Sequence, residues 1–168
     1  MRLTSSFFRR DTVTVAQELI GKKLVRVFDD KMVFNARITE TEAYCGVEDL
    51  ACHASKGRTP RTEVMFGKGG LVYVYFIYGM YWMLNFVTEE KDVAGAVLIR
   101  GVEGISGPGR LGRTLKLDKS FYAEDLQSSS RIWIENANAI NFEATPRIGI
   151  QYSGEPWISK NWRFIALI

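Results

Sequence analysis

The chain has 168 residues, 46% of them hydrophobic and 24% charged, with 22 Lys and Arg against 19 Asp and Glu for a formal net charge of +3. That length suits one domain whose core needs neither disulfide nor structural metal, and the composition is ordinary for a soluble globule. So small a net charge argues only weakly for a nucleic-acid partner, and the distribution of the cations says more than their sum.

Taken in order, the start Met1 to Arg10 lacks the apolar core of a signal peptide, which points to an intracellular protein. Residues 12–21 read as a short helix with a threonine cap and Gly21 at its end, turning Val15, Leu19 and Ile20 to the core. Residues 23–28 and 33–44 read as two strands around the turn Asp29-Asp30-Lys31. Within the second, Ile38, Glu40 and Glu42 alternate with Thr39, Thr41 and Ala43, so both glutamates share one face. Tyr44 follows, and His53, the only histidine, comes nine residues later. Two carboxylates, a phenol and an imidazole in one segment suit an active site, although an edge strand with two solvated acids has the same local pattern.

Residues 46–70 are loop-rich, and so long a connection inside a compact domain is usually functional. Cys45 and Cys52 read as free thiols, and with His53 they fall short of a zinc-site spacing, so no metal is expected. Two stretches concentrate positive charge: Lys56, Arg58, Arg61 and Lys68 against Glu63, then Arg100, Arg110, Arg113, Lys116 and Lys119 against Glu103 and Asp118. Each alone is also compatible with an ordinary solvated loop.

Residues 71–87 are almost wholly apolar, yet shorter than the roughly 20 residues a membrane span needs. Their Val, Ile and Tyr content, split by Gly79, reads as two strands and a tight turn with Tyr78 and Met80 at the tip. An apolar tip in solvent marks an interaction site, the alternative being a tip packed beneath a neighbouring loop. Residues 93–100 read as a buried strand. Gly107 to Arg113 reads as a turn leading into a short helix over 115–117, where backbone amides and arginines such as Arg110 could hold a phosphate. Short strands are expected at 132–134, 147–150 and 162–168.

Glu40-Thr41-Glu42-Ala43-Tyr44, His53, Thr59-Pro60-Arg61, Met65-Phe66, Tyr73-Val74-Tyr75, Tyr78-Gly79-Met80-Tyr81, Asn85, Leu98-Ile99-Arg100 and Gly107-Pro108-Gly109 together resemble the alkyladenine DNA glycosylase family, the 3-methyladenine DNA glycosylases of the mammalian type. The resemblance runs in order from about Val13 to Phe164. It is weak over 119–147 and absent in the ending Arg163 to Ile168. It implies an α+β fold: a single mixed domain with a curved antiparallel β-sheet, peripheral helices and a protruding β-hairpin. It also implies a monomer that acts on double-stranded DNA containing damaged purines, with no cofactor, no metal and no membrane. By resemblance, Glu42 activates the attacking water, and His53 and Arg100 help position water and nucleotide. Tyr44 and His53 enclose the extruded base, with Tyr75 and Asn85 also in the base pocket. Tyr78 fills the gap in the duplex with Met80 beside it, and Arg58, Arg61 and Arg110 meet phosphates.

The chemistry fits these residue types. A base inside a duplex must be flipped out at a cost of a few kcal/mol, and a wedge such as Tyr78 offsets the lost stacking. Cleavage of the N-glycosidic bond passes through an oxocarbenium-like state, so one carboxylate can take a proton from water and stabilise the sugar. Strand pattern alone does not choose between Glu40 and Glu42; the resemblance favours Glu42. No lysine lies beside the motif to form a Schiff base, so an abasic site is the expected product. Two other readings remain open, a damaged-DNA binding module without catalysis and a carbohydrate hydrolase using Glu40 and Glu42 as an acid and base pair.

Overall fold

The computed structural model describes residues 1–168. Two short helices, α1 (Ser5–Phe8) and α2 (Thr12–Glu18), precede the hairpin of β1 (Lys23–Val27) and β2 (Val33–Tyr44). A second hairpin, β3 (Val72–Ile77) and β4 (Tyr81–Val87), is followed by β5 (Ala96–Val102), β6 (Ile105–Ser106) and α3 (Pro108–Thr114). The chain closes with β7 (Ile132–Glu135), β8 (Phe142–Thr145) and β9 (Arg163–Ala166). All nine strands join one curled antiparallel sheet in the order β3-β4-β5-β2-β1-β7, with β6 on β5, β9 on β2 and β8 on β9. This is the α+β architecture expected, and no helix is long and apolar enough to cross a membrane.

Period-two alternation divides the sheet into two chemically different faces. Val72 and Val74 of β3, Leu84 and Phe86 of β4, and Val97 and Ile99 of β5 enter the main core, where Val15, Leu19 and Ile20 of the α2 segment cover them. Their alternates Tyr73, Tyr75, Met83, Asn85, Leu98 and Arg100 face the other way and line a cavity. The strand register aligns Tyr73, Asn85, Leu98, Glu42 and Arg163 as one row across β3, β4, β5, β2 and β9. At about 4.8 Å per strand, the row carries Tyr73 and Glu42 about 14 Å apart on a single surface.

The segment between β2 and β3 is ordered by a second apolar cluster, in which Cys52, Ala54, Val64, Met65 and Phe66 pack on Tyr73 and Val87. Short 3-10 helices at His53–Lys56 and Glu63–Phe66 give it shape. The core therefore continues beneath a stretch that the sequence shows only as glycine-rich loop.

Several expectations are corrected. The helix over 12–21 ends at Glu18 and is capped by Asp11, whose carboxylate accepts the Thr14 N–H, rather than by a threonine. The strand expected at 93–100 occupies Ala96–Val102, with Val93 exposed. The helix expected at 115–117 lies upstream at Pro108–Thr114, because Pro108 is already at the first helical position, where its fixed φ and missing N–H suit a helix start. Residues 147–150 form no strand; the strand in that region is β8. The early helix α1 was not expected.

Candidate active site

The central feature is a pair of compensating irregularities between β2 and β5. Ile38 pairs with Val102 and Glu40 with Gly101, which leaves Thr39 as an extra residue on β2; Thr41 then pairs with Ile99, which leaves Arg100 as an extra residue on β5. Bulges of this kind re-aim side chains, and here Arg100 is directed at both glutamates. Its Nε donates to Glu40 Oε2 at 3.0 Å, and its Nη1 lies 3.7 Å from Glu42 Oε1.

Glu42 is completely buried. Its Oε1 accepts the Tyr44 hydroxyl at 2.7 Å and its Oε2 accepts the Ile148 N–H at 2.7 Å. Burial raises the carboxyl pKa, while Arg100, the Ile148 N–H, the Tyr44 hydroxyl and Arg147 oppose that rise. Burial and the adjacent carboxylate push the Tyr44 phenol well up, so Tyr44 stays protonated and remains the donor. Desolvation thus makes Glu42 a better proton acceptor than a carboxylate in water, and its donors lessen that gain.

The cavity beside it measures about 620 Å³ and holds Tyr44, His53, Tyr73, Tyr75, Asn85 and Arg100 in its wall. Glu42 lies one layer behind, reached through Tyr44 and Arg100. Asn85 is buried at the floor and donates from Nδ2 to the Tyr73 carbonyl at 3.2 Å. His53 enters from the first position of its 3-10 helix, sharing a 2.8 Å hydrogen bond between Nδ1 and the Tyr73 hydroxyl and standing edge-on to Tyr75 at 4.6 Å. Arg61 Nη2 is 3.2 Å from Nδ1 and 3.1 Å from Nε2 of the same ring. One nitrogen nearly equidistant from both ring nitrogens cannot follow both in-plane lone pairs, so the guanidinium rests against the ring as a whole. Burial, with Arg61 second, lowers the His53 pKa to about 4, and the ring is neutral at physiological pH.

The hairpin tip stands free of any covering loop, Tyr78 being 78% and Met80 53% exposed. Tyr78 and Gly79 both have positive φ, at 57° and 65°, and the Met80 N–H returns to the Ile77 carbonyl at 3.2 Å, as in the tight turn that matches strand twist. The tip reaches the cavity, since Tyr78 forms part of its wall.

The three arginines expected at phosphates are disposed differently. Arg110 projects into solvent from α3, whose Pro108 and Gly109 border the cavity. Arg58 is tied to Glu63 and Asp92 and lies over Phe66, while Arg61, though exposed, bonds to His53 and Tyr73. No three His, Cys, Asp or Glu side chains converge as a metal site.

Sequence reasoning missed the supports. Arg147 is buried against Asp49 at 2.6 and 3.0 Å and lies over the rings of Tyr44 and Trp162. Asp49 also accepts the N–H groups of Cys45 and Ala51, fixing the turn after Tyr44. Arg163 of β9 donates to Glu40, and Tyr152 bridges by its hydroxyl to the Ala51 carbonyl. The links Arg147–Asp49, Tyr152–Ala51 and Arg163–Glu40 have no local sequence signature, because in each the partner lies about a hundred residues away.

Comparison with known proteins gives this geometry a context. "Putative 3-methyladenine DNA glycosylase" is the name of a Legionella pneumophila (strain Paris) protein 44% identical over 174 residues, covering 97% of this chain and 93% of that one. Proteins of the same name from Sodalis glossinidius, 44% identical over 173 residues with 98% and 96% coverage, and Methanocella arvoryzae, 42% identical over 183 residues with 96% and 90%, are similar along nearly their whole length. The family model described as methylpurine-DNA glycosylase matches residues 6–106 and 103–167, the second match extending through β9. The chain belongs to the methylpurine-DNA glycosylase family.

Proposed function

We propose that this glycosylase extrudes 3-methyladenine, 7-methylguanine, hypoxanthine and ethenoadenine from duplex DNA and releases the base by hydrolysis. The observation that carries the reading is Glu42, a fully buried carboxylate held by two hydrogen-bond donors behind a 620 Å³ aromatic cavity with an exposed tyrosine at its lip. Tyr78 enters the gap left by the flipped nucleotide, Met80 lies beside it, and Arg110 meets the backbone without reading sequence. Arg58 and Arg61 reach phosphates by exchanging their present acidic and aromatic partners. The base enters between Tyr44 and the His53–Tyr75 side, where stacking contributes about 1–3 kcal/mol per base. Asn85 at the floor meets the base edge.

Water attacks C1′ of the deoxyribose, its proton passes to Glu42 and on to solvent, and the C1′–N bond breaks with both electrons leaving on the base: a cationic methylated purine departs neutral, whereas hypoxanthine or ethenoadenine departs as an anion that takes its proton from solvent water. The products are a free purine and an abasic sugar. Arg100 helps position the water, and neutral His53 acts as a hydrogen-bonding partner rather than a cation. No lysine lines the cavity, which supports hydrolysis without a Schiff base.

The test is incubation with duplexes containing hypoxanthine or ethenoadenine and with methylated DNA, followed by alkali. Strand breaks at the lesion are expected from the wild type, and Glu42→Gln is expected to bind the lesion duplex while leaving the base attached. Absence of breaks on all three substrates would reject the enzymatic reading and leave a binding module.

A further inference from the structure

Glu40 shares the face of Glu42 but has no part in the mechanism above. It is largely buried, and a single oxygen, Oε2, accepts both Arg100 Nε at 3.0 Å and Arg163 Nε at 2.6 Å. Arg163 is steadied in turn by a 3.3 Å contact from Nη1 to Thr145 Oγ1 on β8. Arg100 occupies the bulged position of β5, so the strand pleat does not by itself fix where its side chain points. It stands between two carboxylates, bonded to Glu40 and 3.7 Å from Glu42. Charge-assisted bonds close to about 2.8 Å, so the Glu42 contact is short of a made bond.

We infer that Glu40 and Arg163 are a positioning pair that holds Arg100 off Glu42, keeping the Glu42 carboxylate available as a base and making the terminal strand β9 part of the catalytic apparatus. This rests on the hydrolytic reading of the site. The two glutamates and two arginines cancel in formal charge, and no neighbouring anion other than Glu42 competes with Glu40 for the Arg100 guanidinium. With Glu40 neutralised, Arg100 closes onto Glu42 and occupies the oxygen that should receive the proton of water. The groups facing Glu42 are Arg100 from β5, Tyr44 from its own strand, Tyr75 from β3, and Arg147, the Ile148 N–H and Tyr152 from the segment after β8, with Glu40 of its own strand and Arg163 of β9 beyond Arg100. Removing an anion from this set favours the ionised form of Glu42; removing the Arg163 cation disfavours it.

The experiment is single-turnover base release across pH for the wild type, Glu40→Gln, Glu40→Asp and Arg163→Met, with damaged-duplex affinity and thermal unfolding measured on each. Glu40→Gln is expected to lose about tenfold or more in the release rate while duplex affinity changes less than about twofold, with its acid limb moved to lower pH. Arg163→Met is expected to move the limb the opposite way, and Glu40→Asp, which keeps the charge, to return the limb towards the wild type. A Glu40→Gln rate within about twofold of the wild type, or a slower rate with an unmoved limb, overturns the inference. Base release by the wild type stands apart from these outcomes: its failure rejects the proposed reaction, whereas a working wild type with an indifferent Glu40→Gln rejects only the positioning role.

Discussion

At the scale of single residues, burial of Glu42 has a thermodynamic consequence that can be separated from catalysis. Its pKa is raised in the folded protein, so the fold holds this proton more tightly than the unfolded chain does. That contribution to stability is present below the unfolded carboxylate value and is lost as pH climbs through the folded one. Ionised Glu42 therefore costs stability at neutral pH. The melting temperature of Glu42→Gln relative to the wild type should rise as pH climbs from the ordinary carboxylate value through the raised folded one, whatever the fixed offset from altered hydrogen bonds. Calorimetry at several pH values checks this, and a constant difference would mean that Glu42 does not titrate in the fold as described. His53 carries the opposite sign. With its pKa lowered to about 4, stability is lost as pH falls from the ordinary imidazole value towards the folded one. Because it is the only histidine, its NMR signal is unambiguous. Arg61→Gln should raise the midpoint only part of the way, since burial is the larger cause and remains; an unmoved midpoint would show that Arg61 does not rest on the ring in solution.

At the scale of elements, the second hairpin was the most legible part of the chain. Alternation in β3 and β4 and the Tyr78-Gly79 pair specify strand, turn and tip within a few residues, so local rules suffice. The left-handed backbone at Tyr78 is unfavourable for a bulky residue and suits Asn better. Tyr78→Asn should therefore leave thermal stability unchanged or raised by up to about 1 kcal/mol while weakening affinity for a damaged duplex, measured by fluorescence titration. Unchanged affinity would remove the wedge role, and a large loss of stability would show that the tip is structural. Where partners are distant, legibility failed. Arg147-Ile148-Gly149-Ile150 has the alternation of a strand, yet Arg147 turns inward to Asp49 and the Ile148 N–H is given to a carboxylate instead of a ladder. The pair of bulges at Thr39 and Arg100 was equally hidden. Parity along one strand does place both glutamates on one face, but the register that brings Arg100 between them is a property of two strands together.

At the scale of the whole molecule, β2 is the spine to which remote parts of the chain are fastened. The β9 strand pairs with it, Arg163 reaches Glu40, and Arg147 joins Asp49 and the Ala43 carbonyl and lies over the rings of Tyr44 and Trp162. The Arg147–Asp49 pair is fully buried, and burial of two charges is tolerated here because four donors converge on Asp49: two from the guanidinium and the N–H groups of Cys45 and Ala51. Arg147→Met deletes the counter-charge and leaves an anion with backbone donors alone, a change that costs about 3–5 kcal/mol when one partner of a buried pair is removed. In a chain of this length each kcal/mol moves the melting temperature by about 2–4 °C, so a fall of roughly 10 °C is expected. The double variant Asp49→Asn with Arg147→Met should recover part of that loss, because no uncompensated charge remains. Base release should stay impaired in the double variant, since Ile148 is no longer anchored by its neighbour to present its N–H to Glu42. Thermal unfolding and single-turnover assays on the three proteins separate the two effects. A single Arg147→Met variant within about 1 kcal/mol of the wild type would mean that the C-terminal segment is held by β9 and its rings rather than by the ion pair.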